Sequence, residues 1–143
     1  MFSTLLEYLC IIKHDTGMKK NKQLTKVETQ VMNILWDLAS EGVTSSEMME
    51  HYPEPKPAMT TLLTFLKRLT EKEFVKTEKQ GKLLRFTPLI AREEYTQQYL
   101  TEAKNTFFGG SPTSLVSFFV NHEQLNDDEI SELLRIIKEK QGL

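Results

Sequence analysis

The sequence predicts a mainly α-helical chain with one small β-hairpin, and three observations carry that prediction. Apolar residues recur at helical spacing in four stretches: Val27, Val31, Ile34, Leu35 and Leu38; Ala58, Leu62, Phe65, Leu66 and Leu69; Tyr95, Tyr99, Leu100, Ala103 and Phe107; and Ile130, Leu133, Leu134 and Ile137. Capping boxes stand at Thr25–Glu28, Thr44–Glu47 and Asn126–Glu129, where the first side chain and the fourth satisfy each other's backbone N–H. Two alternating segments, Val75–Lys79 and Leu83–Thr87, meet at Gln80-Gly81-Lys82, where glycine supplies the positive φ of a hairpin turn.

Residues 1–17, MFSTLLEYLCIIKHDTG, read unlike the rest. The apolar run Leu9–Ile12 is too short for an anchor, and no small-residue cleavage site follows a basic segment, so a signal peptide is not expected. Met18 before Lys19-Lys20-Asn21-Lys22 looks like a natural start, and residues 1–23 are expected to be a weakly ordered N-terminal extension. The first helix then opens at Thr25 and runs to about Ala39, with Gly42 ending it and Trp36 as a packing residue. A short second helix runs from Thr44 to about His51, stopped by Pro53, Pro55 and Pro57, which hold an extended loop. The third helix spans about Ala58 to Glu73, and the hairpin follows, closed by Pro88. A polar helix over Ile90–Phe108 is broken by Gly109-Gly-Ser-Pro112.

A chain of 143 residues with 39% apolar and 27% charged residues is a soluble globular protein of one ordinary domain, or a small domain with an appendage. Its lone cysteine, Cys10, excludes an internal disulfide framework and fits a reducing cytoplasm. No apolar run is long enough to span a membrane. Neither a P-loop, a GxGxxG, an HExxH nor a nucleophile elbow occurs, and Ser45-Ser46 belong to a helix start. His14, His51 and His122 lack carboxylate companions at ligand spacing, and Met48, Met49 and Met59 read as core. No catalytic residue, metal or cofactor is expected, and the chain is not read as an enzyme.

Net charge is −2, but it is unevenly placed. Between Lys56 and Arg85 eight cations face three acids, whereas from Phe86 onward five cations face nine acids. A basic middle and an acidic tail suit a nucleic-acid-reading part joined to an assembly part. The third helix sharpens this. Its apolar stripe leaves Thr60, Thr61, Thr64, Lys67 and Arg68 outward, with Met59 and Leu63 on a flank. Threonine is a mediocre helix former, so three on an outward face ask for a reason. Short hydroxyls allow close approach to base edges, and cations pair with phosphates.

Three helices followed by a hairpin bearing Lys76, Lys79, Lys82 and Arg85 describe a winged helix-turn-helix over residues 24–90. Met59, Thr60, Thr61, Leu63 and Thr64 are the candidate base-reading residues. Lys67, Arg68, Lys76, Lys79, Lys82 and Arg85 are the candidate phosphate contacts.

Residues 91–143 are expected to form a helical dimerisation domain. Leu115, Val116, Phe118 and Phe119, with the stripe Ile130, Leu133, Leu134 and Ile137, are more apolar surface than so short a tail can bury within itself. A second copy in a C2 dimer would cover them, and docking onto the winged helix is the alternative.

In this order and spacing, Leu24–Trp36, Met59–Leu69 with Lys72, the wing ending in Phe86-Thr-Pro88, and Ser114–Val120 resemble the BlaI/MecI/CopY family of bacterial repressors, the penicillinase-repressor type. The resemblance covers about Leu24 to Gln141 and implies a homodimer on a pseudo-palindromic operator of double-stranded DNA. Carried over by position, the DNA-facing places fall on Thr60, Thr61, Leu63, Thr64 and Arg68. Leu63 stands where members carry a basic residue, and a leucine can contact a thymine methyl. Antibiotic-responsive members are cleaved at an Asn-Phe bond in the dimerisation segment when a membrane sensor–protease acts as antirepressor. The matching bond here is Phe118-Phe119, without the asparagine. The cysteine-rich copper site of other members has no counterpart after Cys10. Two functions stay open at this point: a repressor, or a winged helix that docks a protein through its threonine face.

Overall fold

The computed structural model describes residues 23–38 and 41–142. The expected extension up to residue 22, with Cys10 and His14, lies outside the described residues, as does Ala39. The chain divides into two units within one helix, between Tyr95 and Thr96.

The first unit holds α1 (Lys26–Leu38), α2 (Ser45–Glu50), α3 (Met59–Glu71) and an antiparallel hairpin of β1 (Val75–Gln80) and β2 (Leu83–Pro88). Three helices and a two-stranded wing make a winged helix-turn-helix fold. At the start of α1 the Thr25 N–H donates to Glu28 Oε1 (3.0 Å) and the Glu28 N–H to Thr25 Oγ1 (3.2 Å), a closed capping box. Thr44 and Glu47 repeat it on α2. The two-residue turn between Gln80 and Leu83 carries Gly81 at φ 65°, a backbone that glycine adopts without strain. Val43 bridges Phe86 through bonds of 2.9 and 2.8 Å, tying the segment before α2 to the wing.

The end of α3 differs from expectation. It closes at Glu71, with Lys72 as C-cap and Glu73 left-handed at φ 69°. The Phe74 N–H then donates to Leu69 O (2.9 Å) and the Glu73 N–H to Thr70 O (3.0 Å), the paired bonds of a Schellman motif that turn the chain into the wing.

The core draws on every element of this unit: Val31, Met32 and Leu35 of α1, Met48 of α2, Leu62, Leu66 and Leu69 of α3, and Val75 and Phe86 of the wing are buried. Two expectations fail here. Val27 is exposed, and the buried face of α1 runs through Glu28 and Met32 instead, because Glu28 finds a cation inside. Ala58 and Met59 are exposed rather than core: Ala58 is the N-cap and Met59 the first residue of the helix, ahead of its buried stripe. Trp36 is half-buried as expected; its Nε1 donates to Ile90 O (2.9 Å), and its ring lies 6.2 Å from that of Tyr95.

The second unit continues α4 (Arg92–Phe107) into α5 (Pro112–His122) and α6 (Asp127–Lys140). Ser111 caps α5, with Pro112 at its first turn, and Asn126 and Glu129 form the third capping box. No residue of α4, α5 or α6 is buried. No helix is long and apolar enough to cross a membrane among the described residues.

Candidate nucleic-acid interface

The α3 stripe of Leu62, Leu66 and Leu69 seats the helix on the core and thereby fixes what faces out. Thr60, Thr61, Thr64, Lys67 and Arg68 are exposed together, and Met59 and Leu63 join them at 37% and 36% exposure. The arrangement is one contiguous face of small polar and apolar groups toward the helix start, with cations further along. Arg68 lies 5.9 Å from the Phe65 ring centroid, a cation–π contact that steadies the guanidinium on its own helix. The Thr64 hydroxyl donates to Thr60 O (3.0 Å) and is thus engaged within the helix.

The hairpin register pairs Lys79 with Leu84 and Glu78 with Arg85, so the wing's cations occupy both faces. Lys79 and Lys82 are exposed and form no ion pair among the described residues. Lys76 pairs with Glu78 at 3.1 Å, an exposed contact that a phosphate could replace at little cost. Arg85 is more committed. It is half-buried, its Nε donates to Gln80 Oε1 (2.6 Å) and its Nη1 to Gly42 O (3.3 Å).

One cation of the basic middle serves another end. Lys72 Nζ sits 2.7 Å from Oε1 of Glu28, which is 2% exposed, and also donates to Gln23 O (3.3 Å). Burial, the largest single influence, pushes the Glu28 carboxyl up, but the Lys72 bond and charge together with the Thr25 N–H and hydroxyl outweigh it and hold it below the ordinary glutamate range. The pair ties the end of α3 to the start of α1. Sequence reasoning counted Lys72 as surface charge; the signal available was Glu28 lying one helical turn before Val31 and Met32.

In the second unit Val116, Phe118, Phe119, Ile130, Leu134 and Ile137 are exposed, while Leu115 and Leu133 are half-buried. Val120 and Ile136 extend this apolar surface beyond the residues singled out from sequence. Phe118 meets Phe108 edge-on at 5.5 Å and stacks on His122 at 4.0 Å. No cluster of three or more metal-ligating side chains occurs among the described residues.

Residues 24–139 match the penicillinase repressor family. The chain is 29% identical over 123 residues to the penicillinase repressor of Bacillus licheniformis, covering 85% of this chain and 94% of that one. It is 28% identical over 124 residues to the methicillin resistance regulatory protein MecI of Staphylococcus aureus (strain N315), covering 85% and 98%. Among solved structures, the monomeric form of Bacillus licheniformis BlaI in complex with the blaP half-operator is 26% identical, spans 51% of this chain and 88% of that one, and has a TM-score of 0.43.

Proposed function

The chain belongs to the penicillinase repressor family, and on that premise we propose that it is a sequence-specific transcriptional repressor that holds a pseudo-palindromic operator as a homodimer. The observation that supports this best is the outward face of α3, where short side chains precede Lys67 and Arg68 on a helix fixed by three buried leucines. Entering a major groove, that face would read bases through Met59, Thr60, Thr61, Leu63 and Thr64. Lys67, Arg68 and the wing cations Lys76, Lys79, Lys82 and Arg85 would take phosphates and supply most of the affinity.

Pairing two such heads requires a partner copy, and the exposed apolar residues of α5 and α6 supply the reason for one: large apolar surface is commonly covered by a partner in a working protein. Release by proteolysis at Phe118-Phe119 under a membrane sensor–protease belongs to the same proposal. That bond lies in the middle of α5, so cleavage requires the helix to open first.

A mobility-shift titration against DNA from upstream of the protein's own gene tests the reading, with random DNA of equal length and two salt concentrations. Tight binding that prefers the upstream DNA and falls steeply with salt is expected. Absence of any preference at either salt would leave the fold and replace the repressor with a protein-docking module.

A further inference from the structure

The base-reading end of α3 is poorer in hydrogen-bond donors than its sequence suggests. Thr64 spends its hydroxyl hydrogen on Thr60 O at 3.0 Å, so toward a ligand it offers a methyl group and oxygen lone pairs but no donor. Leu63, one residue before it, and Met59, one turn before Leu63, are large apolar side chains left exposed on the same face. No Asn, Gln, Arg or Lys stands between Met59 and Leu66, so the bidentate fork that marks guanine or adenine in the major groove is missing from this part of the helix. Flanking cations, Lys67 and Arg68 on the same helix, make the surroundings of this methyl-rich patch complementary to a polyanion rather than to an apolar protein groove.

The major-groove feature that the apolar groups of such a surface match is the thymine C5-methyl group. We propose that Leu63 and the Thr64 methyl, with Met59 beside them, select the operator by packing on thymine methyls, so that each half-site is read as a pattern of methyl groups. This rests on the repressor reading above and names the chemistry that its base-reading residues recognise. Thr60 and Thr61 are exposed, and their hydroxyls make no bond of this kind among the described residues, so they are left as the polar readers at the edges of the patch.

Thymine and uracil differ by that methyl alone, which gives a direct test. The full chain selects its preferred duplex from a randomised DNA library. That duplex is then remade with deoxyuridine at one thymine position at a time, and binding is titrated at fixed salt. At one or two positions in each half-site, uracil should weaken binding about fourfold, the effect of losing one buried methyl. Leu63→Ala should abolish the difference between the thymine and uracil duplexes at its position. Thr64 offers the sharper pair: Thr64→Val keeps the methyl and should keep the roughly fourfold difference between thymine and uracil duplexes, whereas Thr64→Ser should lose about fourfold on the thymine duplex and nothing further on uracil. These variants sit on an exposed face, so folding is not at stake. A selected sequence bound equally well with uracil throughout, or a Thr64→Val protein that fails where Thr64→Ser succeeds, would overturn methyl reading and leave the repressor standing. Failure to select any sequence would overturn both.

Discussion

In α3, Leu62, Leu66 and Leu69 are fully buried, whereas in α6 Ile130, Leu134 and Ile137, set at the same spacing, stand about half exposed. The local pattern is the same and the outcome is opposite. An amphipathic repeat specifies that a helix has an apolar side; it does not specify what covers that side. In the first unit α1, α2 and the wing converge on the α3 stripe and close a core. In the second, α4, α5 and α6 leave every residue at least partly exposed, Phe118 and Phe119 at about half. One unit closes a core within the chain, and the other leaves exposed the apolar surface that the proposed dimer would cover.

Truncating the two stripes would break this comparison most directly. Leu66→Ala should cost about 2–5 kcal/mol of stability, because it opens a cavity in a packed core. Urea unfolding followed by the fluorescence of Trp36, the single tryptophan, reads that loss from within the first unit. Phe119→Asp should instead leave the Trp36 transition in place at high dilution and remove about 2–4 kcal/mol of association. In light scattering the mass would fall to that of a 16.6 kDa monomer. If the Asp variant shifted the Trp36 transition as far as Leu66→Ala does, the apolar face would be packing on the winged helix and the contrast would be wrong.

What the sequence made legible follows the same division. Helix starts were readable because a capping box is satisfied among four neighbouring residues, and all three close as expected. The hairpin was readable because Gly81 and alternation are local signals. Contacts across the fold were not. Lys72 and Arg85 look alike in a charge count, yet one reaches Glu28 more than forty positions away, and the other is held by Gln80 and Gly42. The bridge from Val43 to Phe86 likewise has no local cue. On the reading face, the threonines and Leu63 were legible as outward residues, but the Thr64 bond to Thr60 depends on a rotamer, which residue spacing does not fix.

The ion pairs of the two units give the smallest and most discriminating prediction. Arg135 bonds Glu132 and Glu139 along the exposed surface of α6, where water serves each partner nearly as well, and Arg135→Ala should leave the unfolding midpoint unchanged. Glu28 has no such recourse, because it is buried and Lys72 reaches it from the end of α3. Lys72→Met should cost about 1–3 kcal/mol, the penalty of leaving a buried polar group short of a partner. The pH dependence adds a second readout with a fixed sign. The folded Glu28 carboxyl lies below its ordinary range, so its contribution is complete above that range and is lost as pH falls through the lowered folded value. Removing Lys72 takes away the main lowering influence and leaves burial, which raises, opposed by the Thr25 bonds alone. The parent should therefore lose stability toward acid more steeply than Lys72→Met does, and the two unfolding curves should converge as pH falls. Parallel curves across the carboxylate range would mean that Lys72 contributes through its aliphatic stem and not through its charge.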